Sequence, residues 1–276
     1  MTSSSSAPLE RLRSELRELA EPQVRAQLER VLSPADDDEL LGVRVPVLRK
    51  LARRYRGLRP EEVDALLRSR VHDERFAGLL VLAEQMRLAR GSVERGTLVD
   101  FYLAHTDCVD NWDLVDGSAP VVLGTWLLEE SQDVLDEVLD RLAGSASLWE
   151  RRIAVVATLT LIRADRYEPT FSLVIALRQD PEPLIHKALG WMLREIGRRD
   201  ARALVDFLDR HAPELPRMTV RHATERLERR TGRGSCVDGR RHVARDRVRQ
   251  SGGEPCRAVG GVARPAGLFM CQDAVN

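Results

Sequence analysis

Ile185-His186-Lys187-Ala188-Leu189-Gly190-Trp191-Met192-Leu193-Arg194-Glu195-Ile196-Gly197-Arg198 decides how this chain is read. Ile185, Ala188, Met192 and Ile196 recur at the spacing of one helical face, while Lys187, Trp191, Arg194 and Arg198 keep the same period on another. One side of this helix is made for a core. The other sets a tryptophan among three cations, a surface suited to phosphates with an aromatic plane against sugar or base.

The same period runs outward in both directions. Leu9, Leu12, Leu16 and Leu19 open the series, followed by Val24, Leu28, Val31 and Leu32. Val47-Leu48-Leu51-Tyr55, Val63-Leu66-Leu67 and Phe76-Leu79-Leu80-Leu82-Ala83 continue it. Residues 118–128, 132–142, 149–163, 181–197, 200–209 and 217–230 carry it to the end of the patterned region. No run alternates at period two for long enough to make a strand. Gly57, Gly91, Gly117, Gly144-Ser145 and Asp180-Pro181 read as breaks between helices. Helix pairs spaced by roughly 35–45 residues predict an all-α, HEAT-like helical-repeat solenoid, a single curved domain with a concave surface.

Composition divides the chain further. Residues 1–8 read as a flexible Ser-rich lead and 9–230 as the solenoid. Residues 231–276 hold eight Gly, eight Arg and four acids with no helical stripe, so they read as a disordered basic tail. The 43 basic and 43 acidic residues cancel, but not evenly. Residues 41–60 contain seven bases and no acid, with Arg49, Arg53 and Arg56 on one helical line, a candidate polyanion-binding stripe. No apolar run reaches the length of a membrane span. Cys108, Cys236, Cys256 and Cys271 lack the spacing of a zinc site, so no metal is expected and a reduced, cytoplasmic setting is.

The opposite charge is concentrated in residues 101–140, with ten acids and no Lys or Arg. Within it, Asp107-Cys108-Val109-Asp110-Asn111-Trp112-Asp113-Leu114-Val115-Asp116 has an aspartate at every third position. On a helix Trp112 and Asp116 share a face and Asp113 points elsewhere, so one exposed ring would lie beside one carboxylate. The plainer reading has Asp110 capping the helix, Asp113 at its positive end and Trp112 in the core. Trp149 and Arg152, three residues apart, place Arg152 outside the core, and Trp126 reads as core.

Gly42-Val43-Arg44-Val45-Pro46-Val47-Leu48-Arg49, Asn111-Trp112-Asp113-Leu114-Val115-Asp116, Trp149-Glu150-Arg151-Arg152 and Lys187-Ala188-Leu189-Gly190-Trp191-Met192-Leu193-Arg194-Glu195 occur in that order. Together they resemble the AlkD-like, HEAT-repeat family of DNA alkylation-repair glycosylases, over about residues 10–230. The resemblance implies hydrolytic removal of cationic N7- and N3-alkylpurines from double-stranded DNA by a cofactor-free monomer associated with the nucleoid. It implies Asp116 as the catalytic carboxylate, with Trp112 and Trp191 against the damaged nucleotide's backbone and sugar. Arg152 would hold the phosphate near the lesion, with Arg194 beside Trp191 a further DNA contact; the helical stripe itself adds Lys187 and Arg198 as candidate DNA contacts. Gln27 departs from the family pattern, which has a tyrosine in that helix. A non-catalytic DNA-binding or protein-interaction module of the same fold is the alternative.

Overall fold

A computed structural model describes residues 7–32 and 38–225. They form thirteen α-helices: α1 (Ala7–Glu18), α2 (Pro22–Leu32), α3 (Val45–Arg54), α4 (Pro60–Leu67), α5 (His72–Leu88), α6 (Ser92–Leu103), α7 (Trp112–Leu127), α8 (Gln132–Ala143), α9 (Leu148–Arg163), α10 (Glu168–Ala176), α11 (Pro183–Arg199), α12 (Ala201–His211) and α13 (Arg217–Thr224). No strand occurs among the described residues, which bears out the all-α expectation. The tail expected over 231–276 lies outside them, as does most of the expected lead.

The helices stack in two layers. In one, α3, α5, α7, α9, α11 and α13 each pack on the next. In the other, α4, α6, α8, α10 and α12 lie against α5, α7, α9, α9 with α11, and α11. Helices α5, α7, α9, α11 and α13 begin at residues 72, 112, 148, 183 and 217, a period of 34 to 40 residues. Each unit covers the apolar side of its neighbour, the logic of a helical-repeat protein.

Burial follows from the layering. The outer helix α8 buries only Leu135, Leu139 and Leu142, a single stripe. Helices α7 and α9, with a neighbour on each side and a partner behind, are buried nearly all round, continuously over 112–120 on α7 and 152–159 on α9. Gly117 is therefore not a break but a packing position inside α7. A β-carbon there would come within 2.5 Å of the Phe76 ring on α5. Helices α6 and α10 occupy sequence that shows no clear stripe, since α6 buries only Val99 and Tyr102 and α10 is short.

The N-terminal segment is clipped to the stack by polar contacts. Glu39 pairs with Val71 in a parallel bridge, donating its N–H to the Arg70 carbonyl and accepting from the His72 N–H. The Asp73 carboxylate accepts from the N–H groups of Leu41 and Val43, each at 2.8 Å. Glu21 accepts from the N–H of Arg25 through its carbonyl and pairs with Arg44 through its side chain, which fixes the start of α2.

Candidate active site

Helix α7 starts at Trp112 because Asn111 caps it. The Asn111 Oδ1 accepts from the Trp112 N–H at 2.8 Å, and its Nδ2 donates to the Leu32 carbonyl at 3.1 Å. The cap is Asn111, not Asp110. Asp110 instead pairs with Arg75. Two turns into α7, Pro120 lacks an amide hydrogen, so the Asp116 carbonyl, one turn in, loses its usual partner four residues on.

Asp116 meets Arg152 across the α7–α9 contact. The Arg152 Nε and Nη2 donate to the two Asp116 carboxylate oxygens at 3.0 and 2.9 Å, and Nη1 donates to the Leu184 carbonyl at 2.7 Å. Three successive repeats are tied by one guanidinium. Both side chains are sealed, at 0% and 1% exposed, so Arg152 lies inside the stack and not outside the core as its helical position implies. Burial pushes the Asp116 carboxyl above the usual carboxylate range, against the charge and hydrogen bonds of Arg152, with Asp113 adding to the rise. A bidentate guanidinium is the partner that best holds such a carboxylate ionised.

Asp113 does point elsewhere. Its Oδ2 meets the His72 Nε2 of α5 at 2.8 Å, and both groups are buried. Burial works to lower the His72 pKa, but the charge and hydrogen bond of Asp113 outweigh it and the imidazole titrates above its usual value. Arg75 works against that rise and Asp73 with it.

The tryptophans are less exposed than their spacing suggests. Trp112 is 9% exposed and forms a small apolar cluster with Leu32 and Leu40, flanked by Leu28 and Trp149, apart from the main core. Its ring is covered by α2 and the segment after it. Trp191 is 5% exposed and packs in the main core, a correction to its reading as an off-core aromatic. Trp126 packs against that core as expected.

Of the α11 cations, Lys187 is half-buried, Arg194 donates to Glu225 at 2.7 Å, and Arg198 is exposed and paired with Glu195. Arg49 is half-buried, whereas Arg53 and Arg56 are exposed on or just after α3, with Arg56 donating to the Arg53 carbonyl. Thus Asp116 and Arg152 come together directly, with Trp112 one turn away. The α3 stripe belongs to a helix that packs on α5, not on α7 or α9.

Residues 12–227 match the family model for DNA alkylation repair enzymes. The chain belongs to that family. A solved structure described as a predicted DNA alkylation repair enzyme from Enterococcus faecalis shares the fold. It is 16% identical with a TM-score of 0.57, over 75% of this chain and 96% of that one. No curated protein matches. Membership of the DNA alkylation repair enzymes supports a role in DNA repair, with DNA as the substrate. No helix among the described residues is long and apolar enough to cross a membrane, and no cluster of His, Cys, Asp and Glu among them is arranged to hold a metal ion.

Within this family member the sequence reading missed one constellation, His72-Asp73-Glu74-Arg75 at the start of α5. All four are buried. His72 meets Asp113, Asp73 holds the 41–43 backbone, Glu74 takes Arg13 and Arg17, and Arg75 joins Asp38 and Asp110. The signal was four ionisable residues directly before the apolar run Phe76 to Ala83.

Proposed function

We propose that the protein is a DNA glycosylase that hydrolyses the N-glycosidic bond of cationic N7- and N3-alkylated purines in duplex DNA. The observation that carries this is the Asp116–Arg152 ion pair set one helical turn from Trp112 in a member of a DNA alkylation repair family. Alkylation gives the purine a positive charge and makes it a good leaving group. Bond breaking then leaves oxocarbenium character on the sugar. A preformed carboxylate opposite that charge lowers the barrier, and the same carboxylate can orient the attacking water. Arg152 fixes the Asp116 oxygens so that no reorganisation is needed as charge develops. Trp112 and Trp191 are proposed to contact the damaged nucleotide, with Arg194, Lys187 and Arg198 on DNA phosphates and Arg49, Arg53 and Arg56 on the flanking duplex, while Arg152, expected on a phosphate but held by Asp116 and the Leu184 carbonyl, acts through Asp116.

Two observations favour the alternative, a non-catalytic DNA-binding module. Both Asp116 oxygens are taken by Arg152 in a fully buried pair, and Trp112 is covered by Leu28, Leu32 and Leu40. On the enzymatic reading, DNA displaces that cover.

Release of free 7-methylguanine from methylated duplex DNA separates the two. The glycosylase reading expects release by the wild-type protein and about a hundredfold slower single-turnover release by Asp116→Asn, with DNA binding retained. Salt-sensitive binding without base release supports the binding module instead.

A further inference from the structure

Helices α11 and α13 meet at Gly190. A β-carbon there would come within 2.6 Å of the His222 Cβ and 2.7 Å of the Thr219 carbonyl, so only glycine lets α13 approach this closely. Lys187 and Arg194 lie one turn before and one turn after Gly190 on α11. They flank the line along which His222 packs. Arg221 and Glu225 are the charged residues beside His222 on its own side of the contact.

This cluster is positive, and its donors are incompletely used. The charges of Lys187, Arg194 and Arg221 all bear on His222, opposed by that of Glu225. Arg194 spends Nη1 on Glu225 at 2.7 Å. The Arg194 Nε and the His222 Nε2 are shut off from solvent, and neither has a hydrogen-bond partner among the described residues. His186, next to Lys187 on α11, leaves its Nε2 unpartnered in the same way. Unmade hydrogen bonds of buried donors are costly. The Arg194 side chain is 11% exposed, whereas that of Glu225 is 48% exposed. The carboxylate is thus the outer, replaceable member of the pair.

We infer that Lys187, Arg194 and His222 form an oxyanion site for a backbone phosphate of DNA, and that Glu225 occupies it in the free protein as an internal stand-in. Two acceptor oxygens of a phosphodiester supply what one carboxylate oxygen does not, a partner for Nη1 and a second for Nε or for the imidazole. The stand-in keeps three cations from repelling one another until DNA arrives. DNA then has to displace it, which lowers the apparent affinity. His222 adds a signature. Burial, with Arg221, Arg194 and Lys187, lowers its pKa, against Glu225. An arriving phosphate favours the imidazolium, so binding takes up a proton.

The inference rests on DNA binding by α11, not on the catalytic role of Asp116. The full-length protein is titrated with a fluorescent undamaged duplex at pH 6 and pH 8, as wild type, Glu225→Gln and His222→Gln, with helical circular dichroism confirming folding. Expected are several-fold tighter binding by Glu225→Gln at both pH values, and several-fold tighter wild-type binding at pH 6 than at pH 8. His222→Gln, which keeps a neutral donor, should lose most of that pH dependence. Inorganic phosphate should compete at millimolar concentration with the wild type and less with His222→Gln. Equal affinity of Glu225→Gln and wild type overturns the stand-in, and a pH dependence unchanged in His222→Gln overturns the site. Absence of duplex binding by the wild type overturns both. Base release with an overturned site leaves the glycosylase standing, whereas a surviving site without base release leaves only the DNA-binding reading.

Discussion

Two carboxylates three residues apart on α7 are both buried and both paired, yet they have different partners. Asp113 reaches back to His72 on α5, and Asp116 reaches forward to Arg152 on α9. An imidazole loses its charge near neutral pH and offers one donor here, whereas a guanidinium keeps its charge and grips both oxygens. The Asp113 pair is a titratable clasp. The Asp116 pair keeps its cation at any ordinary pH, which on the proposed function suits a carboxylate that meets a cationic lesion.

Breaking the Asp116 pair should cost most. Arg152→Ala leaves Asp116 buried without its cation and frees the Leu184 carbonyl, so unfolding in urea should show a loss of about 3–5 kcal/mol. A loss below about 1 kcal/mol would mean that water reaches the carboxylate readily. Asp113→Asn keeps an acceptor for His72 and should cost less, about 1–3 kcal/mol, while base release stays near the wild-type rate. If Asp113→Asn abolishes release and Asp116→Asn does not, the two roles are exchanged.

The clasp can also be sharpened by pH. The folded pKa of His72 lies above its ordinary value of 6.5. Its contribution is therefore complete below about pH 6.5 and is lost as pH rises through the folded value. Thermal stability should decline over that window in the wild type, and His72→Gln should flatten the decline. The smallest effect belongs to the exposed stripe. Arg56→Ala should change stability by no more than about 0.5 kcal/mol, yet lower the salt slope of duplex binding by about one if Arg56 meets a phosphate.

How far these elements were legible depends on how many neighbours a helix has. The stripe of α8, a helix covered on one side, reads directly from Leu135, Leu139 and Leu142. A helical wheel drawn for α9 or α11 assumes one core face, but each has neighbours on two sides and a partner behind. Arg152 and Trp191 sit off the apolar line and are nevertheless enclosed. The His72–Arg75 run was illegible for a related reason. Asp and Glu in a first turn fit a solvated helix start, and only partners such as Arg13, 61 residues from Glu74, place them inside. The spacing that separates Asp113 from Asp116 was readable, but the exposed ring and carboxylate it suggested are both buried. The cover over Trp112 was not readable, because Leu28, Leu32 and Leu40 come from a distant stretch whose placement depends on the clip at Asp73.

Because each helix of the stack leans on its nearest neighbours, cooperativity decays along the array and fraying starts at the ends. Amide exchange should therefore be slowest around Asp116 and Arg152, which have repeats on both sides, and faster on α13, which closes the described stack. Opening of that last helix would part His222 from Gly190 without loosening the central ion pair. If both sites hold DNA as proposed, the same duplex would then meet a yielding grip at one end of the array and a rigid one in its middle.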